Sequence, residues 1–125
     1  MTSLLDTSVL LGPALTLAGP VAISAITLAE LHFGVLVASE PAERAERLRR
    51  LAVIEREFQP LPVDERVARS FGLLASLVAV TGRSPRPRAM DLLIAATAHA
   101  HGARLVTRNP GDLLGLGDVV EVVVP

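Results

Sequence analysis

Three carboxylates stand alone in apolar segments of this chain. Asp6 interrupts SLLDTSVLL at residues 3–11, Glu30 sits within ITLAELHFG at 26–34, and Asp91 lies in AMDLLIAATA at 89–98. Burying an ionised side chain is costly unless it is paired or hydrogen-bonded. Each acid must therefore stand where its apolar element meets polar company. A fold that gathers several element ends at one edge satisfies all three at once.

The remaining pattern predicts such a fold. Residues 3 to 6 form a short apolar strand closed by an acid. Residues 8 to 18 suit a short helix, ended by Gly19-Pro20. VAIS at 21–24 reads as a second strand, and Ser24 then caps a helix running to about Ala38. Pro41 opens a helix over 41–57, in which Leu48, Leu51, Ile54 and Phe58 make one apolar stripe on a charged surface. Asp64 caps a further helix that ends at Gly82. RSPRPR at 83–88 is a basic loop, and Asp91 caps the helix LLIAATAHA, which stops at Gly102. RLVT at 104–107 is a strand, NPGDLLGLG is a loop with at most one helical turn, and VVEVVV at 119–124 is a closing strand. Alternating strands and helices predict a single α/β domain over residues 1–125, with a mainly parallel central sheet covered on both faces.

Composition narrows the chemistry. The chain has 125 residues, enough for one domain with a real core. It has no cysteine, which excludes disulfide and thiolate chemistry and suits the cytoplasm. All 12 basic residues are arginines. The absence of lysine excludes a P-loop, which needs one on the phosphates, and Schiff-base mechanisms. No basic residue precedes Arg44, so the basic start of a signal peptide is missing. The apolar run from Val9 to Ala38 is broken by Gly-Pro pairs and carries Glu30, so a membrane span is not expected. A net charge of −1 gives no global attraction to nucleic acid, and any phosphate-binding surface must be local.

In an open parallel sheet, ligands bind outside the carboxyl ends of the strands. Asp6 ends the first strand, and Asp112 lies in the loop after RLVT. Asp91 begins a helix, whose positive dipole end favours an anion. Glu30 lies in the second turn of the helix after VAIS, and its helical neighbours Ile26 and Phe33 place it off any charged face. All four acids are expected at one sheet edge. Converging carboxylates repel, and a divalent cation resolves the conflict. Hard oxygen donors select Mg2+ or Mn2+ over Zn2+. The hydroxyls of Ser8 and Thr107 and the Asn109 amide lie close enough in sequence to orient carboxylates or a bound water.

LLDTSVLL, ISAITLAELHFGV and DLLIAATAHAHGARLVTRNPGDL, taken in that order, resemble the acidic motifs of PIN-domain ribonucleases, specifically the VapC-type toxins of type II toxin–antitoxin systems. The resemblance implies a PIN-like three-layer fold and one or two Mg2+ or Mn2+ ions. It implies endonucleolytic cleavage of RNA by metal-activated water, and neutralisation by a small VapB-type antitoxin. It also implies a homodimer. Carried over by position, Asp6, Glu30, Asp91 and Asp112 are the catalytic metal ligands, and Thr7 and Ser8 are pocket hydroxyls. Leu113 stands where the family usually has an aromatic residue.

RNA affinity must then come from local arginines. Arg83, Arg86 and Arg88 precede Asp91, and Arg108 follows RLVT, so these four are the candidate backbone contacts. Leu10, Leu11, Leu15 and Leu17 are candidates for surface that a partner covers. The alternative reading is a binding module that keeps the fold without catalysis, and uptake of a divalent ion at the acids distinguishes the two.

Overall fold

The computed structural model describes residues 1–125. Four short strands, β1 (Ser3–Leu5), β2 (Val21–Ala22), β3 (Arg104–Val106) and β4 (Val122–Val123), form one sheet in the order β2-β1-β3-β4. Every pairing is parallel. Five helices intervene: α1 (Thr7–Leu10), α2 (Ala25–Leu36), α3 (Pro41–Glu57), α4 (Glu65–Val80) and α5 (Ala89–Ala100). From β1 the chain moves outward to β2 and returns on the other side with β3. The strand order therefore reverses between β1 and β3, the place where open α/β sheets form their binding crevice.

Alternation along the strands divides the core. Leu4 and Leu105, paired across β1 and β3, belong to a cluster with Val67, Leu74 and Val78 of α4 and Leu92 and Ala95 of α5. Leu5 and Val106 belong to a second cluster with Val9 of α1, Leu31 and Val35 of α2, and Leu51 and Ile54 of α3. The sheet is thus sandwiched between α4/α5 and α1/α2/α3, giving three layers. Helix α5 is apolar almost all round. Its buried alanines Ala95, Ala96 and Ala98 let it lie close under the sheet.

Local signals fix several boundaries. Ser24 Oγ accepts from the amide of Ile26 at 3.0 Å to cap α2, and Asp64 Oδ1 accepts from the amide of Val67 at 3.1 Å to cap α4. Gly82 takes φ +83 just past α4, a left-handed value that suits glycine.

Four expectations are corrected. The helix expected over 8–18 ends at Leu10, because Pro13 lacks an amide donor and disfavours helical geometry at Gly12. Asp91 does not cap α5 but lies in its first turn. The Arg86–Arg88 3-10 turn runs directly into the helix and starts it earlier. Leu48 is exposed rather than part of the α3 stripe. The closing strand contracts to Val122–Val123, which pair with Leu105 and Val106 of β3. No helix is long and apolar enough to cross a membrane.

Candidate active site

The switch point between β1 and β3 carries the site. Asp6 follows β1 immediately, and Thr107 follows β3. Ser8 Oγ donates to Asp6 Oδ2 at 2.7 Å, and Thr107 Oγ1 donates to the same oxygen at 2.8 Å. Each hydroxyl is itself fixed by a backbone donor. The Arg108 amide donates to Ser8 Oγ at 3.1 Å, and the Asn109 amide donates to Thr107 Oγ1 at 3.0 Å. A hydroxyl has one proton. Because both accept from an obligate N–H donor, both direct that proton at Asp6. The carboxylate is buried at 9% exposure, yet Oδ2 is doubly satisfied and Oδ1 accepts no protein hydrogen bond.

Glu30 is held from α1. Thr7 Oγ1 donates to Glu30 Oε1 at 2.7 Å, and the Thr27 hydroxyl lies 3.1 Å from that of Thr7. Thr7 gives its single proton to the charged acceptor, so Thr27 supplies its own to Thr7. Thr27 is completely buried. It was not among the candidate residues, although its position one turn before Glu30 on the same face of α2 was a usable signal.

Asp6, Asp91, Thr107, Asn109 and Asp112 line one cleft, with Ile94, Leu105 and Leu113 as its apolar walls. Its volume is about 10 Å³, room for roughly one water-sized occupant. Asp112 is exposed, in the 3-10 turn Pro110–Leu113, and Asp91 is half-buried in the first turn of α5. Burial is the main cause that pushes the Asp91 carboxyl up to about 6. The negative charges of Asp112, Asp6 and Glu30 push in the same direction, and Arg88 opposes them weakly. The other three acids therefore all act on Asp91 through space.

They do not form a closed cage: no three acidic, histidine or cysteine side chains are arranged to hold a metal ion together. The hydroxyls draw Asp6 toward β3 and Glu30 toward α1, which keeps like charges apart. The donor chemistry nevertheless fits a hard cation. The cleft offers only oxygen donors, it is ion-sized, and the Asp91 carboxyl is raised by burial first and by the neighbouring negative charges second. Mg2+ typically keeps several waters and needs only one or two carboxylates, so a closed cage is not required.

The candidate arginines are distributed unevenly. Arg88 stands beside Asp91 and donates to the Ser84 carbonyl at 3.1 Å. Arg86 is exposed, while Arg83 and Arg88 are half-buried. The Arg108 side chain turns inward over Gly12 and reaches the Pro13 carbonyl at 3.4 Å. It braces the turn after α1. Two further arginines, Arg47 and Arg50 of α3, line a separate hollow with Glu30. The charged pattern of that helix gave no sign of it, since helical period alone does not tell which solvated face meets another element. Along the turn after α1, Leu15 is exposed and Leu10 and Leu17 are half-buried, and these three line a mostly apolar groove with Pro13 and Phe58, whereas the exposed Leu11 lines the hollow beside Glu30 instead.

The PIN domain family model matches residues 3–111. The chain is 38% identical to Ribonuclease VapC4 of Mycobacterium tuberculosis, over 98% of this chain and 96% of that one. It superposes on the VapBC-5 toxin–antitoxin structure from Mycobacterium tuberculosis with a TM-score of 0.84 and 34% identity, covering 98% and 96% of the two chains. It is also similar to FitAcB from Neisseria gonorrhoeae, with a TM-score of 0.77 and 31% identity over 97% and 96%.

Proposed function

The chain belongs to the PIN domain family, in its VapC branch, and on that premise we propose that it is an RNA-cleaving toxin held in check by a VapB-type antitoxin. The observation that supports it most is the shared cleft of Asp6, Asp91 and Asp112 at the β1/β3 switch point, with Glu30 close enough to act on Asp91.

Cleavage breaks one phosphorus–oxygen bond of the RNA backbone, with water supplying the incoming oxygen and a proton passing to the leaving oxygen. Asp6 and Asp91 would hold Mg2+ or Mn2+, with Glu30 and Asp112 completing the negative surround. When bound, the ion supplies a nucleophilic water and stabilises charge on the phosphoryl group. The chain's own part is positioning. Ser8 and Thr107 fix one oxygen of Asp6 and leave the other without a protein hydrogen bond, free to take an ion. Thr7 fixes Glu30 by the same device. Leu113, Ile94 and Leu105 keep bulk water from one wall, which strengthens charge interactions inside. Arg88 lies where it can meet a phosphate entering beside Asp91. Arg83, Arg86 and Arg108 are weaker candidates for backbone contact, the last because its guanidinium is engaged at Pro13. A homodimer belongs to the same reading.

Calorimetric titration with Mn2+ tests the proposal against a binding module of the same fold. Wild type should take up the ion, and Asp6→Asn should weaken uptake at least about tenfold. A protein that takes up none at the cleft is not the proposed nuclease.

A further inference from the structure

A second hollow, of about 300 Å³, lies on the other side of Glu30. Thr7 and Leu11, Glu30 and Gly34 of α2, and Arg47 and Arg50 of α3 all line it. We propose that this hollow is a nucleotide subsite, in which Arg50, assisted by Arg47, holds an RNA backbone phosphate next to the scissile bond and the space over Gly34 receives the attached base or sugar. The proposal rests on the ribonuclease reading and assigns substrate-holding residues to it.

Electrostatics requires such a place. A polyanion approaching four carboxylates is repelled, and the net charge of −1 offers no general attraction. Affinity must come from cations beside the acids. Arg47 is partly committed: it donates to the Gly34 carbonyl at 2.6 Å and pairs with Glu43. That bond fixes its guanidinium at the rim. Arg50 is exposed and makes no ion pair or hydrogen bond with the protein, so its charge is free for a ligand. The volume is at the small end of ligand pockets, suited to one nucleotide unit.

Gly34 is the second, independent sign. Glycine inside a helix costs about 1 kcal/mol relative to alanine. Its φ is not positive, so the backbone does not require glycine. A Cβ there would meet only Arg47 Nη1, at an ordinary 3.7 Å, so packing does not require it either. What the missing side chain provides is open space between Glu30 and the arginines.

The test is anisotropy of a fluorescein-labelled single-stranded RNA dodecamer in EDTA, where no cleavage occurs. It compares wild type, Arg50→Ala, Gly34→Leu and, as an off-site control, Arg69→Ala. Arg50→Ala should raise Kd about tenfold and make the salt dependence shallower by about 0.7 in log–log slope, one phosphate contact. Gly34→Leu should weaken binding with an unchanged or raised Tm, which separates a filled hollow from a damaged fold. Affinity and salt slope equal to wild type in both variants would overturn the proposal and leave the hollow to a protein segment. Binding is read without divalent ion, so the two readings fail separately. RNA held through Arg50 by a protein that cuts nothing refutes the nuclease alone. Cleavage at unchanged KM in Arg50→Ala refutes the subsite alone.

Discussion

Thr107 donates a 2.8 Å hydrogen bond to Asp6 across 101 positions of the chain. The bond ties the end of β3 to the end of β1 at the reversal of strand order. It works together with Ser8, on the same carboxylate oxygen, and both hydroxyls are oriented by backbone amides. Thr107→Val keeps the volume and removes the donor. It leaves the Asn109 amide and a buried carboxylate oxygen short of a partner, at about 1–3 kcal/mol. Urea unfolding should show a lower midpoint at constant slope. Activity should fall further than this stability loss explains, because Asp6 is no longer aimed.

Thr7 offers a milder version beside the cleft, at Glu30. Thr7→Val frees Glu30 and strands the buried Thr27 hydroxyl. RNA cleavage is expected to drop about 10- to 100-fold, the usual cost of losing a group that orients a metal ligand. Thr7→Ser keeps the donor and should retain most activity. Equal losses in both would show that the methyl group, not the hydroxyl, matters.

Asp91 makes stability depend on pH and on divalent ions. Its carboxyl is raised from 3.8 to about 6 in the folded chain. Between these values the folded state holds more proton than the unfolded state, so stability declines as pH rises through this window. Below about pH 4 both states are protonated and the penalty vanishes; above about 6 it is complete. In EDTA at pH 7.5, Asp91→Asn should therefore melt higher than wild type, by on the order of 1 kcal/mol after solvent screening. The difference should disappear near pH 4. Added Mg2+ should raise the wild-type Tm more than that of the variant. Thermal melts with and without chelator check all three statements.

The core sets a further expectation. Leu105 is 1% exposed in the strand that carries Thr107. Leu105→Ala should cost about 2–5 kcal/mol, by lost burial and a residual cavity. Equilibrium denaturation measures it directly.

The sequence carried the frame of this molecule further than its details. The parallel sheet was legible because short β-branched and apolar runs alternate with periodic helices. Helix α3 was legible to its ends, since Pro41 opens it and the charged pattern continues without interruption. The helix expected after Asp6 was overextended, because the leucine run outweighed Pro13. The shared edge of the four acids followed from topology, since strand ends and the first turns of following helices meet there. Their hydrogen bonding did not. That Ser8 and Thr107 converge on one oxygen of Asp6 depends on the β1–β3 register, which Ser3↔Arg104 and Leu5↔Val106 set and no local signal encodes. Arg47 and Arg50 stayed hidden for the same reason: their meaning comes from how α3 packs on α2.

The most direct measurement is cleavage of total RNA by wild type, Asp6→Asn and Asp91→Asn, with Mg2+ and with EDTA. Cleavage should appear only for wild type with Mg2+, while circular dichroism shows all three proteins folded. Cutting at the wild-type rate by either folded variant, or undiminished cutting in EDTA, would contradict the assignment of these carboxylates to an ion-dependent ribonuclease site.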